Sequence, residues 1–341
     1  MMLRFVSIGL WLVALGWTCS GQPDPCDVPL VTDSGHKDNF TVVDLARELY
    51  ACTMIKMIER AGLGPMFREK GPFTLFAPYD LAFGFLPDDI WNKLMSNNTY
   101  LRELLLFHTV PRLIGSIDNV YNDELIETML PGKNIRLNVY QIGKMMVGGR
   151  GAADQAMGVT GRITACGGPV IDGGNATNGE VRIISNVMHP VPPGDIMDVI
   201  DNDKQFTELK KLVYLAKLQD YLKAGGPFTF FPPNNNGVDK LSRDELKKLE
   251  HNTTLLREVL LYHLLDWTLY ASGSYDGEVL VTVQGESINL TVWYGMYNKN
   301  YISSFHVLCS YKLNKYLCTF TNICSVFHVH MMKYSWHPYV I

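Results

Sequence analysis

The sequence lacks the motifs that identify most enzymes. The zinc-protease motif His-Glu-x-x-His, the nucleophile motif Gly-x-Ser-x-Gly and a phosphate-binding loop with its lysine are all absent from its 341 residues. Cys309, Cys318 and Cys324, near the C-terminus, do not have the paired short spacings of a zinc finger or ribbon. We therefore expect a protein that is not an enzyme, needs no cofactor and holds no metal.

Clusters of positive charge and long apolar runs are also scarce. The formal net charge is −4 and the basic residues are scattered, which argues against a nucleic-acid partner. The apolar run from Phe5 to Trp17 is too short to span a bilayer as a helix. Because Arg4 precedes this run and the small residues Thr18 to Ser20 follow it, residues 1–20 are predicted to be a cleaved secretory signal, with an N-terminal anchor as the alternative. We expect no membrane span and a location in the extracellular space or matrix.

Secretion agrees with the candidate modification sites. An oxidising compartment favours a disulfide between Cys26 and Cys52, although spacing alone leaves the connectivity and the state of Cys166 open. N-glycosylation signals of the form Asn-x-Ser/Thr begin at Asn39, Asn97, Asn175, Asn252 and Asn289. The second and fourth of these signals are 155 positions apart, which is also the spacing of an internal repeat.

The repeat covers much of the chain. Gly-Pro-Phe-Thr-Leu-Phe-Ala-Pro at 71–78 returns as Gly-Pro-Phe-Thr-Phe-Phe-Pro-Pro at 226–233. Leu-Arg-Glu-Leu-Leu-Leu-Phe-His at 101–108 returns as Leu-Arg-Glu-Val-Leu-Leu-Tyr-His at 256–263, at the same offset. A period of this length is about that of a whole domain, so the chain is predicted to hold two tandem copies of one module.

Apolar periodicity predicts helices early and strands late in each copy. Apolar residues from Val42 to Ile55 recur at three- and four-residue steps, which predicts one helix beginning near Thr41. Its counterpart is predicted from Phe206 to Ala216, which leaves the second copy about eight residues shorter, without an equivalent of 63–70. Alternation at 135–139 and at 288–292 then predicts strands. Helices followed by strands, without regular alternation, indicate an α+β fold.

Three segments resemble the fasciclin (FAS1) family. Residues 73–83, Phe-Thr-Leu-Phe-Ala-Pro-Tyr-Asp-Leu-Ala-Phe, are similar to its first signature, a strand running into a short helix. Residues 176–188, Ala-Thr-Asn-Gly-Glu-Val-Arg-Ile-Ile-Ser-Asn-Val-Met, are similar to its second signature, the closing strand of the module. Phe107-His108 and Tyr262-His263 match the tyrosine-histidine position between them. The resemblance runs from about residue 40 to 292 and implies a FAS1-like β-wedge flanked by helices.

The second copy matches this family less completely. Its second signature is missing from 331–341, where the repeat offset would place it. We therefore predict a leader segment at 21–39, module 1 at 40–193 and a truncated module 2 at 194–292. The tail at 293–341 contains no Asp, Glu or Arg, and our hypothesis is that it is translated from a retained intron or a wrong gene model.

The histidines of the repeat, His108 and His263, lie on the apolar stripe of a predicted helix. They have two interpretations. In the first, each histidine is bonded within the core and steadies neighbouring loops. In the second, which the family resemblance implies, Phe107-His108 and Tyr262-His263 take part in integrin-dependent adhesion. The resemblance also implies an Asp-Ile integrin motif just before the Asn-Gly strand, and of that motif only the acid, Asp172, is present.

The resemblance as a whole implies a secreted cell-adhesion or extracellular-matrix protein. Its expected partners are integrin-type receptors, collagen or other matrix proteins, or a second copy of itself. Two modest sites on one chain would engage a multivalent partner more tightly than either site alone. A secreted carrier of a small apolar ligand is the alternative, because a wedge-shaped fold can hold an apolar pocket that sequence does not reveal.

Overall fold

Each copy of the repeat begins with helices and ends with strands, and the two kinds of element do not alternate regularly between, so the predicted α+β class is confirmed. The computed structural model describes residues 40–115, 120–140, 162–190, 194–224, 226–275, 277–297, 300–313 and 316–320. The predicted signal, the leader segment and the end of the tail lie outside these ranges. Strand positions are described as far as residue 320, and side chains as far as residue 290.

Module 1 packs its helices against one face of a mixed sheet. Its helices are α1 (Val42–Glu48), α2 (Cys52–Arg60), α3 (Gly64–Glu69), α4 (Asp88–Ser96) and α5 (Asn98–Phe107), with a 3-10 helix at Asp80–Phe85. Its strands are β1 (Phe73–Pro78), β2 (Thr109–Val110), β3 (Glu124–Glu127), β4 (Asn134–Tyr140), β5 (Arg162–Ala165), β6 (Gly168–Ala176) and β7 (Gly179–Ile184).

The single helix predicted from Thr41 is in fact two helices, so that prediction was wrong. Thr41 does begin α1, through a capping box with Asp44. The chain then turns at Tyr50, whose φ of 62° lies in the left-handed region, and restarts as α2. The Asp80 carboxylate accepts the N–H of Thr53 at 2.7 Å and so satisfies a donor in the first turn of α2. The apolar spacing continues across the break, which is why sequence periodicity did not reveal it.

Strand β7 holds the module 1 sheet together. The seven strands lie in the order β2-β1-β7-β6-β5-β4-β3. β7 runs parallel to β1, with Leu75 opposite Val181 and Ala77 opposite Ile183, and antiparallel to β6. Val181 and Ile183 are both buried in the core beneath the helices. The closing strand predicted from the second signature is thus the strand that joins the two parts of the sheet.

Module 2 repeats the order of the main helices and strands of module 1 as far as β11 (Ser287–Tyr297), the counterpart of β4. Its helices are α6 (Ile196–Asn202), α7 (Thr207–Leu215), α8 (Gln219–Ala224), α9 (Asn235–Val238), α10 (Arg243–His251) and α11 (Thr253–Tyr262), with 3-10 helices at Lys204–Phe206 and Ala271–Gly273. Its strands are β8 (Thr229–Phe230), β9 (Leu264–Leu265), β10 (Glu278–Val281), β11 (Ser287–Tyr297), β12 (Asn300–Leu313) and β13 (Tyr316–Phe320).

The predicted eight-residue deletion in the second copy is wrong. Helix α7 begins 155 positions after α2, and α8 begins 155 positions after α3, so residues 63–70 do have a counterpart. The true partner of α1 is α6, which precedes the counterpart helix predicted from Phe206 to Ala216. The prediction failed because α1 and α2 were treated as one helix, and the apolar stripe of α7 was matched to both.

The sheet of module 2 is divided where β7 would stand. Strands β8 and β9 form one pair, and β10-β11-β12-β13 form a separate four-stranded sheet. Among the strands that the structure describes, none corresponds to β7. Strand β11 continues past Val292 to Tyr297, and the predicted end of module 2 at that valine remains a prediction.

Each module buries its own helical core, and a third cluster joins them. The module 1 core lies between its helices and the inner faces of β1 and β7, while the module 2 core lies between its helices and β8. Tyr140, at the end of β4, packs with residues of module 2 such as Phe231 and Leu269. Its hydroxyl accepts the N–H of Tyr270 at 2.8 Å. This contact fixes one end of the module 1 sheet to the second module.

Candidate functional site

The tyrosine-histidine position of module 1 is fully buried at the end of α5. Phe107 is the last residue of that helix and His108 is its C-cap, and neither side chain is exposed. Nε2 of His108 accepts the N–H of Met188 at 2.9 Å, so the ring proton is on Nδ1, which donates to the Leu104 carbonyl at 2.8 Å. Burial lowers the pKa of this neutral ring to about 4. His108 therefore ties α5 to the segment that follows β7.

Module 2 reproduces this arrangement at the end of α11. Nδ1 of His263 donates to the Val259 carbonyl at 2.7 Å, and burial lowers the pKa of the ring. The Tyr262 hydroxyl donates to the Ser287 carbonyl at 3.0 Å, across to β11. In both modules the aromatic ring and the histidine ring meet edge to face, with centroids 6.3 Å apart in module 1 and 6.0 Å apart in module 2. The four side chains hold helix ends in place, as the structural interpretation of the histidines predicts.

Burial decides what the tyrosine-histidine residues can contact. Phe107, His108, Tyr262 and His263 are each at most 2% exposed. A receptor could touch these side chains only after the end of the helix had opened.

Asp172, in contrast, is open to solvent. It lies on β6 at an irregularity in the pairing with β7, and its carboxylate accepts the N–H of Gly173 at 2.7 Å. The neighbouring Ile171 is 56% exposed. Of the adhesion candidates that the sequence predicted, Asp172 is the one whose side chain a large partner can reach.

Four of the glycosylation signals lie on described, exposed residues, and Asn39 lies outside the described residues. Asn97 and Asn252 are the N-caps of α5 and α11, and the side-chain oxygen of each accepts a backbone N–H at 3.0 Å. A glycan attached to the side-chain nitrogen would leave that oxygen free to cap the helix. Asn175 and Asn289 are exposed on β6 and β11. The occupancy of all five signals remains a prediction.

The cysteines behave differently from one another. Cys52, the first residue of α2, is in a disulfide whose partner the structure does not describe, and its predicted pairing with Cys26 remains a prediction. Cys166 is a buried free thiol between β5 and β6, and burial raises its pKa to about 11. A thiol held in this protonated state is a poor nucleophile.

Two polar residues that were not predicted from the sequence, Asn178 and Glu180, organise β7. Asn178 lies just before the strand, and its side chain accepts the N–H of Val42 at 2.9 Å and donates to the Phe67 carbonyl at 2.8 Å. Glu180 is buried, and its carboxylate accepts the Thr74 hydroxyl at 2.6 Å and pairs with Arg182 at 2.7 Å. A glutamate and an arginine within an otherwise apolar strand were the available signal for this network.

Module 2 contains an apolar cavity of about 150 Å³ that was also not predicted. It lies between α7, α10 and α11 and is lined by leucines, Pro233, Val238, Val259 and His263, with Asp244, Glu245 and Lys248 at the rim. Three of the apolar positions that line it carry larger residues in module 1, where Val259, for example, corresponds to Leu104. Val238 corresponds to Phe83, and Leu255 corresponds to Tyr100, both of which pack in the module 1 core. The smaller residues of the second copy therefore leave space that the side chains of Phe83 and Tyr100 occupy in the first.

Within the described residues, no group of three or more His, Cys, Asp or Glu side chains is placed to hold a metal ion. No helix in the described ranges is long and apolar enough to cross a membrane.

Comparison with known proteins gives a consistent family. The fasciclin domain model matches residues 51–190 and 204–315. Transforming growth factor-beta-induced protein ig-h3 of Sus scrofa is 26% identical over 229 residues, covering 67% of this chain and 31% of that protein. Periostin of Homo sapiens is 25% identical over 266 residues, covering 77% of this chain and 28% of that protein. The chain thus spans about three-tenths of the length of these relatives.

A solved FAS1 domain pair from the insect cell adhesion molecule fasciclin I aligns with 75% of this chain and 90% of its own length, at 18% identity and a TM-score of 0.34. The two family-model matches correspond to the two copies of the repeat and together cover most of the chain. The protein therefore belongs to the fasciclin domain family, as a tandem FAS1 protein of the type of periostin and the transforming growth factor-beta-induced protein.

Proposed function

We propose that this chain is a secreted cell-adhesion protein of the extracellular matrix, without enzymatic activity, that binds integrin-type receptors and matrix proteins such as collagen through its FAS1 modules. The observation that carries the proposal is the presence of two fasciclin domains in one chain, at 51–190 and 204–315. Adhesion is the function that the family resemblance implies. Paired modules suit it because a second site on the same chain raises the avidity for a multivalent partner.

The receptor contact in this proposal is the exposed pair Ile171 and Asp172. A binding site needs accessible side chains, and the carboxylate of Asp172 and the apolar side chain of Ile171 both face solvent. The buried His108 and His263 act indirectly, because they hold the helix ends in place. A histidine substitution could therefore reduce adhesion by disturbing the fold, although the histidine itself does not touch a receptor.

The contact between modules would hold any sites on the two FAS1 modules at a fixed separation. The carboxylate of Asp123 accepts the N–H of Thr268 at 3.0 Å and pairs with Arg136 at 3.2 Å. Ser272 donates to the Gly167 carbonyl at 2.6 Å. Sites held at a fixed separation lose less entropy on bivalent binding than sites on a flexible linker.

Attachment of cells to surfaces coated with the full secreted chain tests the adhesion proposal. Asp172→Ala should reduce cell attachment about tenfold or more. Asp172→Asn should reduce attachment by a similar factor if the receptor recognises the negative charge. Glu103→Ala, which removes another exposed acid on α5, is the matched control and should attach normally. Attachment that is insensitive to integrin-blocking reagents, or equal for Asp172→Ala and wild type, would contradict the proposed contact.

Secretion and the first disulfide belong to the same proposal. Mass spectrometry of the protein from culture medium should find a mature N-terminus near residue 21 and a peptide that links Cys26 to Cys52. Protein retained in cells with residues 1–20 intact would contradict the predicted signal.

We further propose a second candidate function, the carriage of a small apolar ligand, because of the cavity in module 2. Its volume of about 150 Å³ suits a ligand the size of a benzene ring or a short alkyl chain. Val238→Phe with Leu255→Tyr would restore the larger residues of module 1 and fill the space. If the cavity is a binding site, toluene should raise the melting temperature of the wild-type protein in a concentration-dependent way and should leave that of the filled variant unchanged. Equal binding by both proteins would exclude this cavity as the site.

A further inference from the structure

The outer face of strands β10 and β11 carries an apolar patch beside a glycosylation signal. Val279 and Val281, on the edge strand β10, are each 60% exposed, while Leu280 between them is buried. Asn289 stands directly opposite Val279 in the antiparallel pairing, and Val281 stands opposite Ser287. Residues paired in this way share a face of the sheet. Asn289 is therefore the direct cross-strand neighbour of Val279 and the diagonal neighbour of Val281.

Module 1 provides an internal comparison for this surface. There Leu125 on β3 stands opposite Arg136 on β4, and Glu127 stands opposite Asn134. The positions that hold Glu127 and Arg136 in module 1 hold Val281 and Asn289 in module 2. The first copy thus places charged side chains where the second copy has an apolar residue and a glycan acceptor. Of these two charged residues, Glu127 is exposed on the edge strand β3, whereas Arg136 lies on the inner strand β4 and is paired with Asp123. An exposed charge on an edge strand, such as Glu127, is a common protection against pairing with another chain.

We propose that an N-linked glycan on Asn289 covers Val279 and Val281 and prevents the edge strand β10 from associating with a second copy of the chain. The occupant of the patch is the first N-acetylglucosamine of that glycan, whose C–H groups and acetyl methyl lie against the valines while its hydroxyls face water. The glycan would protect β10 as the exposed charge of Glu127 protects the edge strand β3 of module 1.

The modification itself is an ordinary group transfer. The side-chain nitrogen of Asn289 displaces the pyrophosphate of a polyprenyl-linked oligosaccharide, so that a nitrogen–C1 bond forms and the C1–oxygen bond breaks. One amide proton is lost, the leaving group is the polyprenyl pyrophosphate, and no oxidant or reductant takes part. The asparagine is exposed, so the attached sugar does not conflict with the folded strand.

The first test is the state of Asn289 in the full chain produced by a glycosylating secretory cell. Glycopeptide mass spectrometry should find Asn289 occupied, and an unmodified asparagine in the secreted protein would overturn the proposal. Sedimentation velocity over a range of concentrations then measures self-association. Asn289→Gln and Thr291→Ala remove the same signal by different substitutions, and each should raise the association constant about tenfold, as expected when exposed valine surface becomes available for burial.

Three further variants distinguish shielding of the two valines from other effects of glycosylation. Thr99→Ala removes the signal at Asn97 in module 1 and should leave the association constant unchanged. Asn289→Arg replaces the glycan with the residue of module 1 and should associate less than Asn289→Gln. Adding Val279→Thr and Val281→Thr to Asn289→Gln should return the protein to the monomer. The proposal is overturned if Asn289→Gln and Thr291→Ala sediment as wild type, or if the valine substitutions do not reverse their association.

Discussion

His108 should make module 1 lose stability as the pH falls from about 6.5 to about 4. Its ring is neutral and fully buried, bonded to Leu104 and Met188, and burial lowers its pKa from 6.5 to about 4. Between these values the unfolded chain binds a proton that the folded module excludes. The stability that depends on this neutral ring is therefore fully present above the unfolded pKa of 6.5 and decreases as the pH falls toward the folded pKa of about 4. Between about pH 7.5 and 4.5, this one group accounts for about 2.5 kcal/mol of the free energy of unfolding.

The substitution His108→Gln isolates this effect from the other groups that titrate in acid. We expect the variant to be less stable than wild type by about 1–3 kcal/mol near neutral pH, because the N–H of Met188 loses its imidazole acceptor. On acidification, however, the variant should lose about 2.5 kcal/mol less than wild type, because the group that excluded a proton is gone. The two curves of stability against pH should therefore converge toward the acid end.

Hydrogen exchange followed by mass spectrometry on the full chain measures this quantity for each module separately. Peptides from α5 and β7 report on module 1, while peptides from α11 report on module 2, where His263 is unchanged. His251→Gln is the matched control, because that histidine is exposed on α10 and its replacement should change neither module. Equal loss of stability on acidification in wild type and His108→Gln would refute the assignment of the effect to this ring.

Other predictions follow from single contacts. Asn97→Ala should destabilise module 1 by about 1 kcal/mol, because it removes the N-cap of α5. Asn97→Asp and Thr99→Ala should reduce the free energy of unfolding much less, since both keep the cap and lose only the glycosylation signal. Thermal unfolding of the three variants checks this prediction. Glu180→Ala should cost about 3 kcal/mol or more in denaturant unfolding, because Arg182 and the Thr74 hydroxyl lose their buried partner, and Glu180→Gln should cost less. Tyr140→Phe should speed hydrogen exchange at Tyr270, whose N–H loses its acceptor across the module contact, without changing exchange in α2; unchanged exchange at Tyr270 would contradict the assigned contact.

Local patterns determined the architecture of this protein. The repeat offset, the early helices, the late strands and the absence of a second signature from the second copy are all visible in short stretches of chain. They predicted an α+β fold in two modules because helix and strand periodicity depend on neighbouring residues. The same reasoning failed at Tyr50, where a left-handed residue divides one apolar stripe into α1 and α2.

Only the tertiary structure showed which of the candidate adhesion residues are exposed and can contact a receptor. The sequence could not show that His108 is covered by the segment after β7, because Met188 is 80 positions away from it. Nor could it show that Asn178 and Glu180 organise the module, since their partners lie on other helices and strands. Accessibility and polar pairing depend on residues that the fold brings together from distant parts of the chain. For that reason the sequence by itself identified the modules, and only their packing separated the exposed Asp172 from the buried histidines.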